Sequence, residues 1–191
     1  MMHTKQQTDE AFGVQRYYIL LSSLSFLGWA FETVFVFLAM GRWQNQGFMK
    51  LPFCPIYGGS LMATYWLAGT PDCPRGLLKN VEKRGLRYVL YAVIAFIVPT
   101  VAEFFVGLFF DKGFGIWLWS YAGQPLNLMG YIALPVSLAW MGLIFAFMKW
   151  LFMPIKKSIG KIPTTVAWGI AVSLFAVMSV DFVYQFMRIG R

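Results

Sequence analysis

Five long apolar runs, separated by short polar segments, fill most of this 191-residue chain. They are Tyr17 to Met40, Leu51 to Gly69, Tyr88 to Phe110, Leu126 to Phe152 and Thr164 to Met187. Each is close to the ~20 residues with which an α-helix crosses a bilayer core. A helix satisfies its own backbone groups, so apolar runs of this length predict helices. The pattern predicts an all-α, polytopic bundle of five transmembrane helices. It reads as a single transmembrane domain over residues 1–191, with 1–16 as a polar N-terminal tail. The second run opens with Pro52, Pro55, Gly58 and Gly59. The alternative is therefore four crossings plus one re-entrant segment over 51–69. Pro99 and Pro135 fall inside the third and fourth runs and predict bends there.

Composition agrees with a membrane protein. The chain is 59% hydrophobic and 13% charged, with mean hydropathy +0.61. A soluble domain of that balance would expose large apolar patches. The net charge of +8 invites a nucleic-acid reading, but no binding motif accompanies it. Lys and Arg accumulate in cytoplasmic loops, where anionic lipid attracts them. With five crossings, Lys5, Arg16, Arg75, Lys79, Lys83, Arg84, Arg87, Lys149, Lys156, Lys157 and Lys161 share one side. Arg42, Lys50, Lys112, Arg188 and Arg191 lie on the other. This places the N-terminus in the cytoplasm and the C-terminus outside a cell membrane. The four-crossing alternative splits the cations just as unevenly, so charge does not choose between the two. Cys54 and Cys73 flank the second run and are expected to be free thiols. No cleavage pattern follows the first run, which reads as a retained span.

Three runs carry one carboxylate each: Glu32, Glu103 and Asp181. An acid at membrane depth is costly and usually marks a pathway, a proton or cation site, or an ion pair. Ser25, Gly28 and Trp29 share the helical face of Glu32, a small and polar face that should point into the bundle. Pro99 lies one turn before Glu103 and Gly107 one turn after it. Asp181 has Arg188 two turns on, and a structural ion pair is the expected reading there. Tyr57, Asn127, Ser137 and Asn45 lie in or near turn-rich segments and are candidates to orient a substrate beside the two glutamates. The bland readings are helix-packing hydrogen bonds for the acids and an aromatic belt for Trp117 and Trp119. No Walker loop, dinucleotide fingerprint or metal motif is present, and the one histidine, His3, lies in the tail. The expected cofactor and metal are therefore none, and an enzyme is the less favoured class.

Several of these segments resemble a known family. The run Ser25-Phe-Leu-Gly28-Trp29-Ala-Phe-Glu32, then Asn45-Gln-Gly47-Phe48, then Pro52-Phe-Cys-Pro55-Ile56-Tyr57-Gly58, is similar to the opening of the type IV ABC-transporter membrane proteins, the CmpB-like family. Glu103, Gly107, Trp119-Ser-Tyr121, Pro125, Asn127, Gly130, Ile132, Leu134, Ser137 and Trp140 continue the likeness over roughly residues 22–145. Gln46 stands where the family usually has Arg, and Ser120 where it usually has Asp. The resemblance implies a permease-like protein without an ATPase of its own, and the partners expected are the lipid bilayer and a partner ATPase or a homo-oligomer. The function expected is transport through an outward-facing polar cavity in which Glu32 and Glu103, as buried glutamates, bind a proton, cation or small solute. A structural or accessory membrane protein, or an intramembrane enzyme acting on a lipid, is the alternative.

Overall fold

The computed structural model describes residues 12–41 and 47–189. Asn45 falls outside that set. Six α-helices are present among the described residues: α1 Val14–Met40, α2 Pro55–Ala68, α3 Arg84–Phe114, α4 Leu134–Trp150, α5 Phe152–Gly160 and α6 Thr164–Ile189. A single 3-10 turn, Gly76–Leu78, precedes α3. A small antiparallel hairpin pairs β1, Asn127–Leu128, with β2, Ile132–Ala133. The fold is all-helical apart from that hairpin. Three helices, α1, α3 and α6, are long and apolar enough to cross a membrane. Counting α4 and α5, which meet at a bend, as one span makes four.

The boundaries differ from the hydropathy pattern in instructive ways. The second run forms a helix of only 14 residues, because Pro52 and Pro55 bar helical geometry before residue 55. The fourth run does not start at Leu126. Residues 126–133 form the hairpin, with Leu126 and Met129 at positive φ, and Pro135 sits in the first turn of α4 rather than inside it. It is a helix starter and not a hinge. Pro99 lies inside an unbroken α3, where it deprives the Ala95 carbonyl of its helical donor. The basic segment that joins the fourth and fifth runs is largely helical as α5, with Phe152, Lys156 and Ile159 turned inward.

Contacts divide the chain into two compact units, residues 1–58 with 154–191, and residues 59–153. In the first unit α1 packs on α6. Arg16, near the start of α1, donates to the Ile162 carbonyl at 2.9 Å, just ahead of α6. Ser22 reaches Met178, further along α6, at 3.6 Å. Both helices therefore run in the same direction. In the second unit α3 packs on α4. The Tyr88 ring, near the start of α3, lies 5.5 Å from Phe145, near the end of α4. Gly107, near the end of α3, faces Tyr131, just before α4. These two helices are antiparallel.

Candidate functional site

Ser25, Gly28 and Glu32 lie on one face of α1, as their spacing requires. That face meets the chain entering α2. The Ser25 carbonyl accepts the Cys54 N–H at 3.1 Å, while Ser25 Oγ turns back to the Leu21 carbonyl at 2.8 Å. Gly28 lies flat against Tyr57, so close that a β-carbon added at Gly28 would stand 2.5 Å from Tyr57 Cβ. This approach brings the Tyr57 side chain alongside Glu32. Glu32 and Tyr57 are each half-buried. The next residue, Thr33, is only 1% exposed, and its hydroxyl has no hydrogen-bond partner among the described residues. Sequence reasoning passed over Thr33, although its place beside the first acid was a usable signal.

Asp181 does not pair with Arg188. Its carboxylate accepts the Leu51 backbone N–H at 3.0 Å, and the Arg188 guanidinium lies over the Tyr184 ring. Seven residues of helix place Asp181 and Arg188 about 10 Å apart along the axis, whereas Leu51 comes up directly against Asp181. Residues 47–54 are non-helical, and such backbone needs outside partners where water is excluded. Asp181 supplies one. Asp181→Ala should lower stability by about 1–3 kcal/mol, by leaving that N–H unpaired. Arg188→Ala should fall within about 0.5 kcal/mol of wild type, as surface changes do. Equilibrium unfolding in mild detergent measures both. The reverse order would reject this role for Asp181.

The remaining candidates lie in the second unit. Glu103 is 7% exposed and belongs to the buried stripe of α3 with Tyr91, Ala95, Pro99 and Gly107. Ser137 is buried on α4. Asn127 is exposed and serves its own loop. Its amide nitrogen donates to the Gln124 carbonyl at 2.8 Å and to Ala122 at 3.3 Å, and its oxygen accepts Gly130 N–H. That closes the hairpin rather than presenting a group to a ligand. The hairpin is held from beneath by Tyr131, whose hydroxyl donates to Asp111 at 2.5 Å. The Asp111 carboxylate raises the Tyr131 hydroxyl above the ordinary phenol range. Trp117 stacks on Tyr131, and the Trp119 indole donates to its carbonyl. These two tryptophans brace a loop rather than simply forming a belt.

A groove of about 320 Å³ in the first unit is lined by Ser22, Ser23, Phe26, Leu27, Phe53 and Leu174. None of the candidate site residues lines it. Cys54 and Cys73 are not joined in a disulfide. Among the described residues no group of three His, Cys, Asp or Glu side chains could hold a metal.

Residues 19–186 match the family described as "Putative ABC-transporter type IV". The chain belongs to this family. The match confirms the resemblance on which the Ser25–Glu32, Pro52–Gly58 and Glu103–Trp140 segments were aligned, and it extends beyond them at both ends. Within this family member, the Ser25–Gly28–Glu32 face and the Cys54–Gly58 segment are therefore packed partners as well as matched segments. No curated protein and no solved structure matches the chain.

Proposed function

We propose that this protein is a permease-like transporter of the cell membrane in which Glu32, held by Tyr57, binds a proton or cationic group in transit. The observation that carries the reading is the close packing of Tyr57 on the Gly28–Glu32 face of α1, at the start of an interrupted helix. Short, Pro- and Gly-interrupted spans are where transporters build sites near the bilayer midplane. Glu103, buried one turn after Pro99 on α3, is the second proton or cation site. Ser137 is a further polar group for the solute. A partner ATPase, or a second copy of the chain, completes the assembly.

Five crossings, N-terminus inside and C-terminus outside, are part of this proposal, and parity supports them. Helices α1 and α6 run the same way, whereas α3 and α4, being antiparallel, cancel. With α3 and α4 taken as a crossing pair, segment 47–68 is the return crossing in this proposal. Its helix spans only ~21 Å at 1.5 Å per residue, less than the ~30 Å core. Residues 47–54, non-helical and tied to Asp181 and Ser25, cover the rest. The second crossing is thus half loop and half helix.

Purified protein in liposomes, with a pH-sensitive dye inside, tests the site. Glu32→Gln is expected to cut proton-coupled flux at least ~10-fold, about 1.4 kcal/mol in barrier terms. Tyr57→Phe should cut it less. Wild-type flux in Glu32→Gln would reject the assignment. The second reading, an accessory protein whose acids only hold helices, is favoured by the structural bond of Asp181. Glu32→Gln would then lower the melting temperature and leave no flux to lose.

A further inference from the structure

One end of the second unit carries a feature that transport through Glu32 does not use. Arg84 at the start of α3 and Lys149 near the end of α4 converge on a single ring. The Arg84 guanidinium carbon lies 5.2 Å from the Tyr88 centroid, and Lys149 Nζ lies 5.0 Å from it. Arg84 also donates twice to the Tyr88 hydroxyl, at 3.1 and 2.9 Å. That hydroxyl in turn donates to Asp72 at 2.5 Å. The ion pair between Arg84 and Asp72 is long, 3.6 Å, and its two side chains are 70% and 45% exposed. Lys79, Lys83 and Lys149 make no ion pair among the described residues. The cluster is therefore a focus of positive charge, only partly balanced by Asp72.

The surface below it is apolar. Trp150, beside Lys149, is 65% exposed, and its ring also lies under the lysine ammonium. Along α3, Val89, Val93, Ile97 and Val101 form an exposed stripe at four-residue spacing that runs away from the cations. A free anion would use the charge and ignore the stripe. A soluble acidic partner would not reach down it. A lipid with an anionic head and an acyl chain matches both parts, because basic side chains at helix ends attract anionic head groups and apolar helix faces suit acyl chains.

We propose that Arg84 and Lys149, positioned by Tyr88, bind the phosphodiester of an anionic phospholipid whose acyl chain lies along the Val89–Val101 stripe. Asp72 is the internal competitor for the same guanidinium. The lipid phosphate takes its place between the two cations, and no covalent change occurs.

The test measures binding of a fluorescent phosphatidylglycerol and a matched phosphatidylcholine to the full chain in neutral detergent. Wild type is expected to prefer phosphatidylglycerol. Arg84→Gln and Lys149→Gln should each weaken it roughly fivefold, as one interfacial cation does. Asp72→Asn should strengthen it. Lys161→Gln, which removes a cation from the other unit, should leave it unchanged. Circular dichroism melting confirms that each variant is folded, and if Arg84→Gln misfolds, Lys149→Gln carries the same reading. Equal affinity for both lipids, or an equal loss in Lys161→Gln, overturns the proposal. So does displacement of the lipid by polyglutamate as readily as by unlabelled phosphatidylglycerol, which would make the patch a protein-docking surface.

Discussion

Replacing Tyr91 by alanine should destabilise the protein by about 3–5 kcal/mol, the range for removing a large aromatic side chain from a core. Tyr91 has no exposed surface. Its ring sits 5.7 Å from Phe145 of α4, edge to face, and its hydroxyl donates to the Gly69 carbonyl at 3.2 Å. It therefore joins three things at once: the body of α3, the body of α4 and the turn after α2. Tyr91→Phe keeps the ring and loses only the hydrogen bond, so about 1 kcal/mol is expected. The pair separates packing from polarity. Unfolding of the purified protein by denaturing detergent, followed by circular dichroism, measures both. A Tyr91→Ala loss near 1 kcal/mol would mean that the ring is not a core anchor. The functional consequence follows from position. Tyr91 stands three turns before Glu103 on the same buried stripe, so loosening it should lower flux in parallel with stability.

Much of this architecture was readable in advance, and the exceptions share a cause. Uniform apolar length made α1, α3 and α6 plain, because a helix that crosses lipid must be about that long and that apolar. The Ser25–Gly28–Glu32 face was also legible, since three- and four-residue spacing depends on nothing but helical geometry. Its partner, Tyr57, was named as a site residue without a sign that it packs on this face of α1. That contact depends on where an irregular segment returns to α1, and no periodicity encodes it. Asp181 was misread for a similar reason. Arg188 is its neighbour on the helix, but the real partner is a backbone N–H 130 residues away in sequence. Asn127 had the right chemistry for a ligand and the right chemistry for a turn. The turn won because its amide meets two carbonyls within five residues. Tyr88 escaped notice altogether, although Arg84 and Tyr88 at four-residue spacing and the basic Lys149 were present in the chain.

Asp181 and Ser25 both serve the irregular segment 47–54 ahead of α2. Backbone that leaves helical form within lipid must find donors and acceptors in the protein. Asp181 receives Leu51 and Ser25 receives Cys54, so the irregular stretch is tied at both of its ends. The helix that follows begins beside Glu32. An acid, a phenol and a new helix start thus meet where the chain is least regular.

The two consecutive glycines of α2 should respond to alanine with opposite signs. A β-carbon on Gly58 would run into the Ser25 hydroxyl and the Leu21 backbone carbonyl. Backbone cannot swing aside as a side-chain tip can, so α1 and α2 would have to separate. Overpacking of this kind costs about 1–3 kcal/mol. The same methyl on Gly59 meets nothing within 4 Å. There alanine only removes the flexibility of a helical glycine, a gain of about 0.5–1 kcal/mol. Differences in unfolding midpoint between Gly58→Ala, Gly59→Ala and wild type in the same detergent measure the contrast. If the α1–α2 approach also positions Tyr57 on Glu32, Gly58→Ala should reduce flux by more than its stability loss explains, and Gly59→Ala should leave flux intact. Equal behaviour of the two variants would show that the close packing of this seam does not govern the site.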